Sequence, residues 1–287
     1  MIYKSIPLFL SLLTIAFFTQ YASAGGLSDN EAIDIFFQAN NEYGAAQKAM
    51  AAKEEQEALE KFNHAAQLYE QLIQSEYENG QIYYYNLGNS YYRQGMPGKS
   101  IVAYRKAEKM LPRSGDIKAN IALLKKDFGD KESVSQVPEF LKTLCFWYFF
   151  LNLNEITALT IYIYIAFMTS LISAVFLPYR WIRNSTTACA ICLVILVISL
   201  GVKIYSEYSC EKGVVIAKEC KIRYGPGEEY EPKLKIHEGA ELKIEEEREG
   251  WYKVFVYVEI EKTLEEKEKR DTESKRGWVE KEKIGKI

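Results

Sequence analysis

Hydrophobic and polar positions follow a different pattern in each of three parts of this 287-residue chain. Up to about residue 130, apolar residues recur every three to four positions, which predicts amphipathic helices. Between about residues 141 and 205 they form nearly unbroken runs, and beyond about residue 213 short apolar stretches alternate with glycine-containing turns. The pattern predicts a multidomain protein with a helical part, a strongly apolar part and a β part.

Residues 1–24 predict a signal peptide. Lys4 supplies a positive charge, Ile6–Phe18 is apolar, and Ala22–Ala24 is a small-residue cleavage site of the expected kind. The alternative is an uncleaved anchor helix, but the apolar stretch is shorter than the ~20 residues of a comfortable span. In either case the chain from Gly25 onward is expected outside the cytoplasm.

The stretch from Tyr84 to Pro112 predicts a helical hairpin. One face of its first helix carries Tyr84, Leu87, Gly88 and Tyr91. Gly95 ends this helix. The second helix carries Ser100, Tyr104 and Ala107 on one face and ends at Pro112. Gly88 and Ser100 are small where the helices must approach closely. Because such a hairpin cannot bury its apolar face alone, a neighbouring copy is expected, and a similar second-helix pattern occurs about 35 positions earlier at Ala65, Tyr69 and Leu72.

This order of residues resembles the tetratricopeptide repeat, with Ser100 where alanine is usual. We expect a short helical array over residues 25–132, with a long, irregular first helix within residues 31–55 and a capping helix over residues 116–128. The resemblance implies a concave groove that binds an extended peptide or a helix of a partner protein. The residues expected to face this groove are Tyr85, Asn89, Tyr92 and Arg93. The alternative for Tyr85 and Tyr92 is packing against neighbouring helices.

The apolar part predicts two transmembrane helices. Residues 156–177 carry no charge over 22 positions, enough to span about 30 Å of hydrocarbon. The predicted order is a linker and interfacial aromatic segment at 133–155, a first span at 156–177, a loop at 178–186 and a second span at 187–205. Arg180 and Arg183 in the loop predict that it is cytoplasmic, so both soluble parts are expected on the external side.

Residues 206–287 predict a small all-β domain. Strands are expected at 214–217, 221–223, 242–244, 251–258 and 277–279, separated by turns. The order of four short motifs in this part resembles that of the bacterial SH3 domain. The motifs are Ile222-Arg223-Tyr224-Gly225-Pro226, Glu238-Gly239, Gly250-Trp251-Tyr252-Lys253-Val254 and Gly277-Trp278-Val279. The resemblance implies a small SH3-like barrel in which Tyr224, Trp251 and Trp278 line a groove for peptidoglycan or peptide. The alternative places both tryptophans in the core, and the charged residues 259–275 are expected to form an extended, solvated insertion.

Little in the composition points to catalysis or nucleic-acid binding. The 36 Lys and Arg residues against 39 Asp and Glu argue against a nucleic-acid partner. His64 and His237 occur in no recognisable triad or metal-ligand spacing, and no glycine-rich phosphate loop is present, so we expect no catalytic residues, metal or cofactor. Cys210 and Cys220 are a candidate pair in an oxidising compartment.

The order of segments as a whole resembles the tetratricopeptide-SH3 membrane protein of the bacterial aerotolerance (Bat) operons. The resemblance implies a non-enzymatic, two-pass protein of the bacterial inner membrane with periplasmic N- and C-terminal domains. It also implies a role as a scaffold in oxygen tolerance or envelope stress, beside membrane-anchored von Willebrand factor A proteins and, indirectly, a MoxR-type AAA ATPase. The alternative is a peptidoglycan-binding envelope protein that acts through the SH3 domain.

Overall fold

A computed structural model describes six stretches of the chain: residues 27–75, 80–127, 139–177, 179–208, 211–259 and 272–287. The predicted signal peptide lies outside the described residues. So do residues 133–138 of the predicted linker and Cys210, so the candidate pairing of Cys210 with Cys220 stays a prediction.

Five helices form the N-terminal array, and each packs against the next. They are α1 (Asp29–Ala51), α2 (Glu55–Gln74), α3 (Gly80–Arg93), α4 (Pro97–Met110) and α5 (Gly115–Asp127). The predicted hairpin is confirmed as α3 and α4. The expected irregularity of the first helix is wrong, because α1 is unbroken over 23 residues and starts at a capping box between Ser28 and Glu31. Ala32, Ala39 and Ala46, which are fully buried, allow α1 to pack closely along the array.

The close contact between α3 and α4 is made by Gly88. A Cβ atom at this position would lie 2.6 Å from two carbons of the Tyr104 ring, so the ring occupies the space that a side chain would need. The Ser100 hydroxyl donates a buried hydrogen bond of 2.8 Å to the Gly88 carbonyl. Serine in place of the usual alanine therefore fits the crossing and adds a polar link across it.

Four helices follow the array: α6 (Glu139–Leu144), α7 (Phe146–Phe150), α8 (Leu153–Phe176) and α9 (Arg180–Tyr208). Among the described residues, α8 and α9 are long and apolar enough to cross a membrane, with mean hydropathies of 2.0 and 2.5 over their most apolar windows. The predicted loop at 178–186 overlaps the first turns of α9, which begins at Arg180. The charges of Arg180 and Arg183 lowered the local hydropathy but are fully compatible with helix.

Seven antiparallel strands form the C-terminal part, in the order β3-β2-β6-β5-β4-β1-β7. They are β1 (Lys212–Val215), β2 (Glu219–Arg223), β3 (Pro232–His237), β4 (Glu241–Arg248), β5 (Trp251–Glu259), β6 (Thr272–Glu280) and β7 (Ile284–Lys286). The antiparallel sheet is confirmed, whereas its closure into an SH3-like barrel stays a prediction. β3 and β7 were not predicted, although Leu234 and Ile236 of β3 alternate with lysines.

The predicted insertion at 259–275 is partly regular structure. Strands β5 and β6 remain paired up to Glu259 and Thr272, so the ends of the charged segment continue the hairpin. Polar side chains at these positions are compatible with a ladder because its backbone hydrogen bonds do not depend on side-chain hydrophobicity. Residues 260–271 lie outside the described part of the chain.

The helical array and the sheet pack directly against each other, which the sequence pattern did not predict. Val214 of β1 is fully buried in one apolar cluster with Ile101 of α4 and Ile121 of α5. The next residue, Val215, belongs to the core of the sheet. Because successive side chains of a strand point to opposite faces, β1 contributes to both cores. We call this contact the module interface.

Gly98 allows the backbones to approach at the module interface. A Cβ atom on Gly98 would lie 2.4 Å from the Val215 carbonyl oxygen and 2.8 Å from the Ile216 Cα, which are backbone atoms that cannot rotate away. The Gly98 backbone N–H instead donates a hydrogen bond of 3.0 Å to the Glu238 carboxylate. The first turn of α4 therefore lies directly on the turn that follows β1.

Charged groups also join the two parts at Glu241. Its carboxylate lies 2.8 Å from the Arg105 guanidinium and 2.9 Å from the Lys125 ammonium, and its side chain is only 14% exposed. Burial raises the pKa of Glu241, but Arg105 and Lys125 together outweigh burial, so its pKa is lowered from the ordinary value. This ion-pair cluster ties β4 to both α4 and α5.

The start of α8 is attached to the end of α4. The Arg113 guanidinium lies 2.6 Å from the Glu155 carboxylate, and the Asn152 side-chain amide donates a hydrogen bond of 3.2 Å to the Met110 carbonyl. Near the end of α9, Lys203 donates to the carbonyls of Tyr148 and Leu151. The first two contacts hold the start of α8 beside the helical array, and Lys203 holds the end of α9 beside α7.

We predict that Gly88→Ala destabilises the array relative to Gly44→Ala. Both changes add the same methyl group inside a helix, so both gain the helix propensity of alanine. Nothing lies within 4 Å of a Cβ at Gly44, whereas at Gly88 the Tyr104 ring must move. Overpacking should make the free energy of unfolding of Gly88→Ala lower than that of Gly44→Ala by about 1–3 kcal/mol. Thermal unfolding of both variants in detergent measures this difference, and equal stabilities would contradict it.

We also predict that Glu241→Gln loosens the module interface. The change leaves Lys125 and Arg105 without their shared carboxylate and should weaken the contact by about 1–3 kcal/mol. Hydrogen exchange of amides in α4 and β1 should become faster. The matched control is Glu245→Gln, which removes an exposed pair with Arg276 and should cost less than about 1 kcal/mol.

Acidification should have the same effect on the module interface as Glu241→Gln. The lowered pKa of Glu241 means that its stabilisation is complete above the ordinary value of 4.5 and is lost as the pH falls below it. In Glu241→Gln, the protection of β1 amides from hydrogen exchange should therefore depend less on pH in this acid range than it does in the wild type.

Candidate functional site

Two of the four predicted groove residues form contacts inside the array. The Tyr85 and Tyr104 rings lie 5.9 Å apart, and the Tyr104 hydroxyl donates a hydrogen bond of 2.7 Å to the Asn89 side chain. Asn120 of α5 contacts the same side-chain oxygen of Asn89 at 3.5 Å. Tyr85 and Asn89 therefore connect α3 to α4 and α5, in line with the packing alternative for Tyr85.

Tyr92 and Arg93, at the end of α3, remain accessible. Tyr92 is 38% exposed, and the Arg93 guanidinium lies 5.9 Å from the centre of its ring. An aromatic ring beside a guanidinium can hold a peptide by stacking and by hydrogen bonds to carboxylate or carbonyl oxygens. Of the predicted groove residues, these two are the ones that present such groups to solvent. Their role in binding stays a prediction.

The three predicted ligand residues of the sheet differ in exposure. Tyr224 is 65% exposed, and the Lys233 ammonium lies 5.6 Å from its ring centre. Trp251 is half-buried at the start of β5. Trp278 is only 7% exposed, and Arg248 and Lys253 lie 5.4 and 6.0 Å from its ring centre. The burial of Trp278 agrees with the core alternative for this residue.

Sequence reasoning missed a cavity of about 330 Å³ where the array meets the sheet. We call it the junction cavity. Its wall is formed by residues of α2, α3 and α4, and Ile216 and Gly285 close it from the side of the sheet. None of the predicted groove or ligand residues lines it. The signal in the sequence was the pair Lys99 and Lys106, which lie seven positions apart and therefore on one face of a helix.

The charged groups of the junction cavity lie against tyrosine rings. The Lys99 ammonium is 5.4 Å from the Tyr91 ring centre, and the Lys106 ammonium is 5.5 Å from the Tyr84 ring centre. The Tyr91 hydroxyl donates a hydrogen bond to the Glu70 carboxylate. Burial, followed by the hydrogen bond to Glu70 and the charge of Glu70, raises the pKa of Tyr91, so this phenol stays protonated at neutral pH.

The titratable groups of the described residues form no arrangement typical of an active site. His64 is exposed on α2 and lies 3.4 Å from the Glu42 carboxylate. The Cys220 thiol is buried in the sheet, and burial raises its pKa to about 11, so it is a poor nucleophile. No group of three or more metal-ligating side chains occurs within the described stretches.

Comparison with known proteins identifies one repeat in the array. The family model of the tetratricopeptide repeat matches residues 81–114, which contain nearly all of α3, the whole of α4 and the turn between them. A search of curated proteins finds no match. The hairpin that carries Tyr92, Arg93, Lys99 and Lys106 is therefore a tetratricopeptide repeat, a structure that suggests a scaffold for protein–protein interaction.

Proposed function

We propose that this protein is a non-enzymatic, membrane-anchored scaffold whose helical array binds protein partners. The observation that carries the proposal is the tetratricopeptide repeat at residues 81–114, packed between α2 and α5 in a continuous helical array. Repeat arrays of this type build extended surfaces from stacked hairpins and bind peptides or helices on them. Tyr92 and Arg93 supply the aromatic and cationic groups for such binding.

The surface of α8 and α9 supports anchoring in a membrane. Large apolar side chains point away from the protein along both helices, including Val175, which is 78% exposed, and Ile198, which is 61% exposed. Water-exposed surfaces of soluble proteins rarely contain so large a contiguous apolar area. In a bilayer the same side chains contact lipid without cost.

The module interface supports a two-pass topology. The array and the sheet share an apolar cluster through Val214, so both must lie on the same side of a membrane. An even number of crossings between them satisfies this condition, and α8 and α9 supply two. The external side follows from the signal peptide and from the charges of Arg180 and Arg183 at the tip of the hairpin.

The partners that we propose come from the resemblance of the whole chain to the Bat operon protein. They are membrane-anchored von Willebrand factor A proteins and, indirectly, a MoxR-type AAA ATPase, in a complex that serves oxygen tolerance or envelope stress. A membrane-anchored partner suits a scaffold whose helical array is attached to the apolar hairpin by the ion pair of Arg113 with Glu155.

We predict that Tyr92→Ala with Arg93→Ala reduces the recovery of bound partner proteins from detergent extracts by at least about tenfold. Both side chains are exposed, so the fold should not change. The matched control is Gln67→Ala with Gln71→Ala, which alters two exposed residues of α2. Quantitative mass spectrometry of purified complexes measures the effect.

Retention of every partner by the Tyr92 and Arg93 variant would contradict the proposed binding surface. If deletion of residues 211–287 instead abolished binding to isolated peptidoglycan, with the protein partners unchanged, the wall-binding alternative through Tyr224 and Trp251 would replace the scaffold.

The topology predicts which positions react with a membrane-impermeant maleimide in intact spheroplasts. In a background without the five native cysteines, Lys118→Cys in the array and Glu228→Cys in the sheet should react, because both side chains are exposed. Tyr179→Cys, between α8 and α9, should react only after lysis. Opposite reactivity of the array and the sheet would contradict the two-pass arrangement.

A further inference from the structure

We propose that the junction cavity is a second binding site, which takes an extended acidic peptide with an apolar side chain midway between two carboxylates. The site lies between the second helices α2 and α4 and is lined by none of the residues predicted for the concave groove. It is therefore separate from the surface assigned to the scaffold function, and either site can exist without the other.

The charges that would recognise the peptide are Lys99 and Lys106. Neither ammonium forms an ion pair with a carboxylate among the described residues, and each lies over a tyrosine ring instead. The lining also contains Glu70, so two lysines and one glutamate leave a net charge of +1. One Glu70 oxygen accepts the hydrogen bond of the Tyr91 hydroxyl.

Of the two lysines, Lys106 is the one whose charged form is disfavoured by its surroundings. It is half-buried, and burial, followed by repulsion from Lys109, lowers its pKa from the ordinary value. An anion bound beside it would offset both effects, since an opposite charge at short distance favours the charged form of a lysine. Glutamate or aspartate side chains of a peptide provide such an anion.

The apolar groups of the cavity lie between the two lysines. Val102 and Ala103 occupy the turn of α4 between Lys99 and Lys106, and Leu87 contributes from α3. A volume of about 330 Å³ is at the lower end of the range for small-ligand pockets, about 300–1,000 Å³. The middle of the cavity therefore fits one apolar side chain with the adjoining peptide backbone.

The distance between Lys99 and Lys106 determines how far apart the two carboxylates of the peptide should be. Seven residues of helix separate Lys99 from Lys106 by about 10.5 Å along the axis of α4. In an extended peptide, residues i, i+2 and i+4 point to the same face, and i and i+4 are about 13 Å apart. Two flexible lysine side chains can reach carboxylates at this distance, with the apolar residue i+2 between them.

Because part of the cavity wall comes from the sheet, peptide binding should depend on the module interface. Ile216 and Gly285 complete the wall, and both belong to the part of the chain that follows the apolar hairpin. A peptide in the cavity would touch both modules at once. Binding should therefore be weakened by changes that separate them, such as Glu241→Gln.

The test uses the full chain in detergent and the peptide fluorescein-Glu-Ser-Leu-Ser-Glu-amide, whose binding is followed by fluorescence anisotropy. We expect saturable binding that is weakened by salt, and binding at least about tenfold weaker for the probe with glutamine in place of both glutamates. This comparison needs no variant of the protein. Equal binding of the two probes, or no binding of the acidic probe at millimolar concentration, would overturn the proposal.

Variants then locate the site. Lys99→Gln with Lys106→Gln should weaken binding of the acidic probe at least about tenfold, whereas Lys118→Gln, an exposed lysine of α5, should not. Lys99→Glu with Lys106→Glu should instead bind the probe in which lysines replace the glutamates. Full affinity of the double glutamine variant would place the peptide elsewhere and overturn the assignment.

The variant Tyr92→Ala with Arg93→Ala separates this proposal from the scaffold function. It should bind the acidic probe like the wild type, because neither residue lines the junction cavity. Loss of probe binding in this variant would assign the peptide to the groove and refute the second site. Loss of partner proteins with the probe still bound supports both proposals.

Discussion

The packing of strand β1 against helices α4 and α5 is the contact on which the arrangement of this protein depends. Val214 is buried among helical side chains while Val215 is buried in the sheet, so a four-residue strand belongs to two hydrophobic cores. Gly98 lets the backbones meet, and Glu241 is held by cations from both helices. Hydrophobic burial supplies the attraction, and the ion pairs of Glu241 add charged contacts across the same interface.

This contact limits where the apolar hairpin can lie. About one hundred residues separate α4 from β1 along the chain, and α8 and α9 lie between them. Since the array and the sheet touch, the hairpin must leave their common surface and return to it. The Arg113–Glu155 pair marks where it leaves, and Lys203 ties its return to the carbonyls around α7. This geometry is compatible with the proposed two-pass arrangement, which requires both ends of the apolar hairpin on one side of the membrane.

The same contact creates the junction cavity. Lys99, which is exposed, and Lys106, which is half-buried, both line this cavity. Ile216 and Gly285 turn the groove between α2 and α4 into a cavity. Binding of a ligand there would depend on contact between the array and the sheet. An isolated repeat would not show this dependence.

Local patterns in the sequence were sufficient for most of the regular structure. The spacing of Leu87, Gly88 and Tyr104 predicted the hairpin, and the uncharged run at 156–177 predicted α8, because both signals lie in residues that are close together in the chain. Two elements were predicted incompletely or not at all. Arg180 and Arg183 lowered the hydropathy at the start of α9, whereas β3 was missed although Leu234 and Ile236 alternate with lysines, a pattern typical of a strand.

The sequence by itself determined that a tetratricopeptide repeat, two long apolar helices and a set of short strands follow one another, since each is encoded by residues close together in the chain. Only the tertiary structure decided that Asn89 forms hydrogen bonds inside the array, that Trp278 is buried, and that Val214 joins the helical core. These facts depend on contacts between residues that are far apart in the chain. Periodicity reports which face of an element is apolar, but it does not report which other element covers that face.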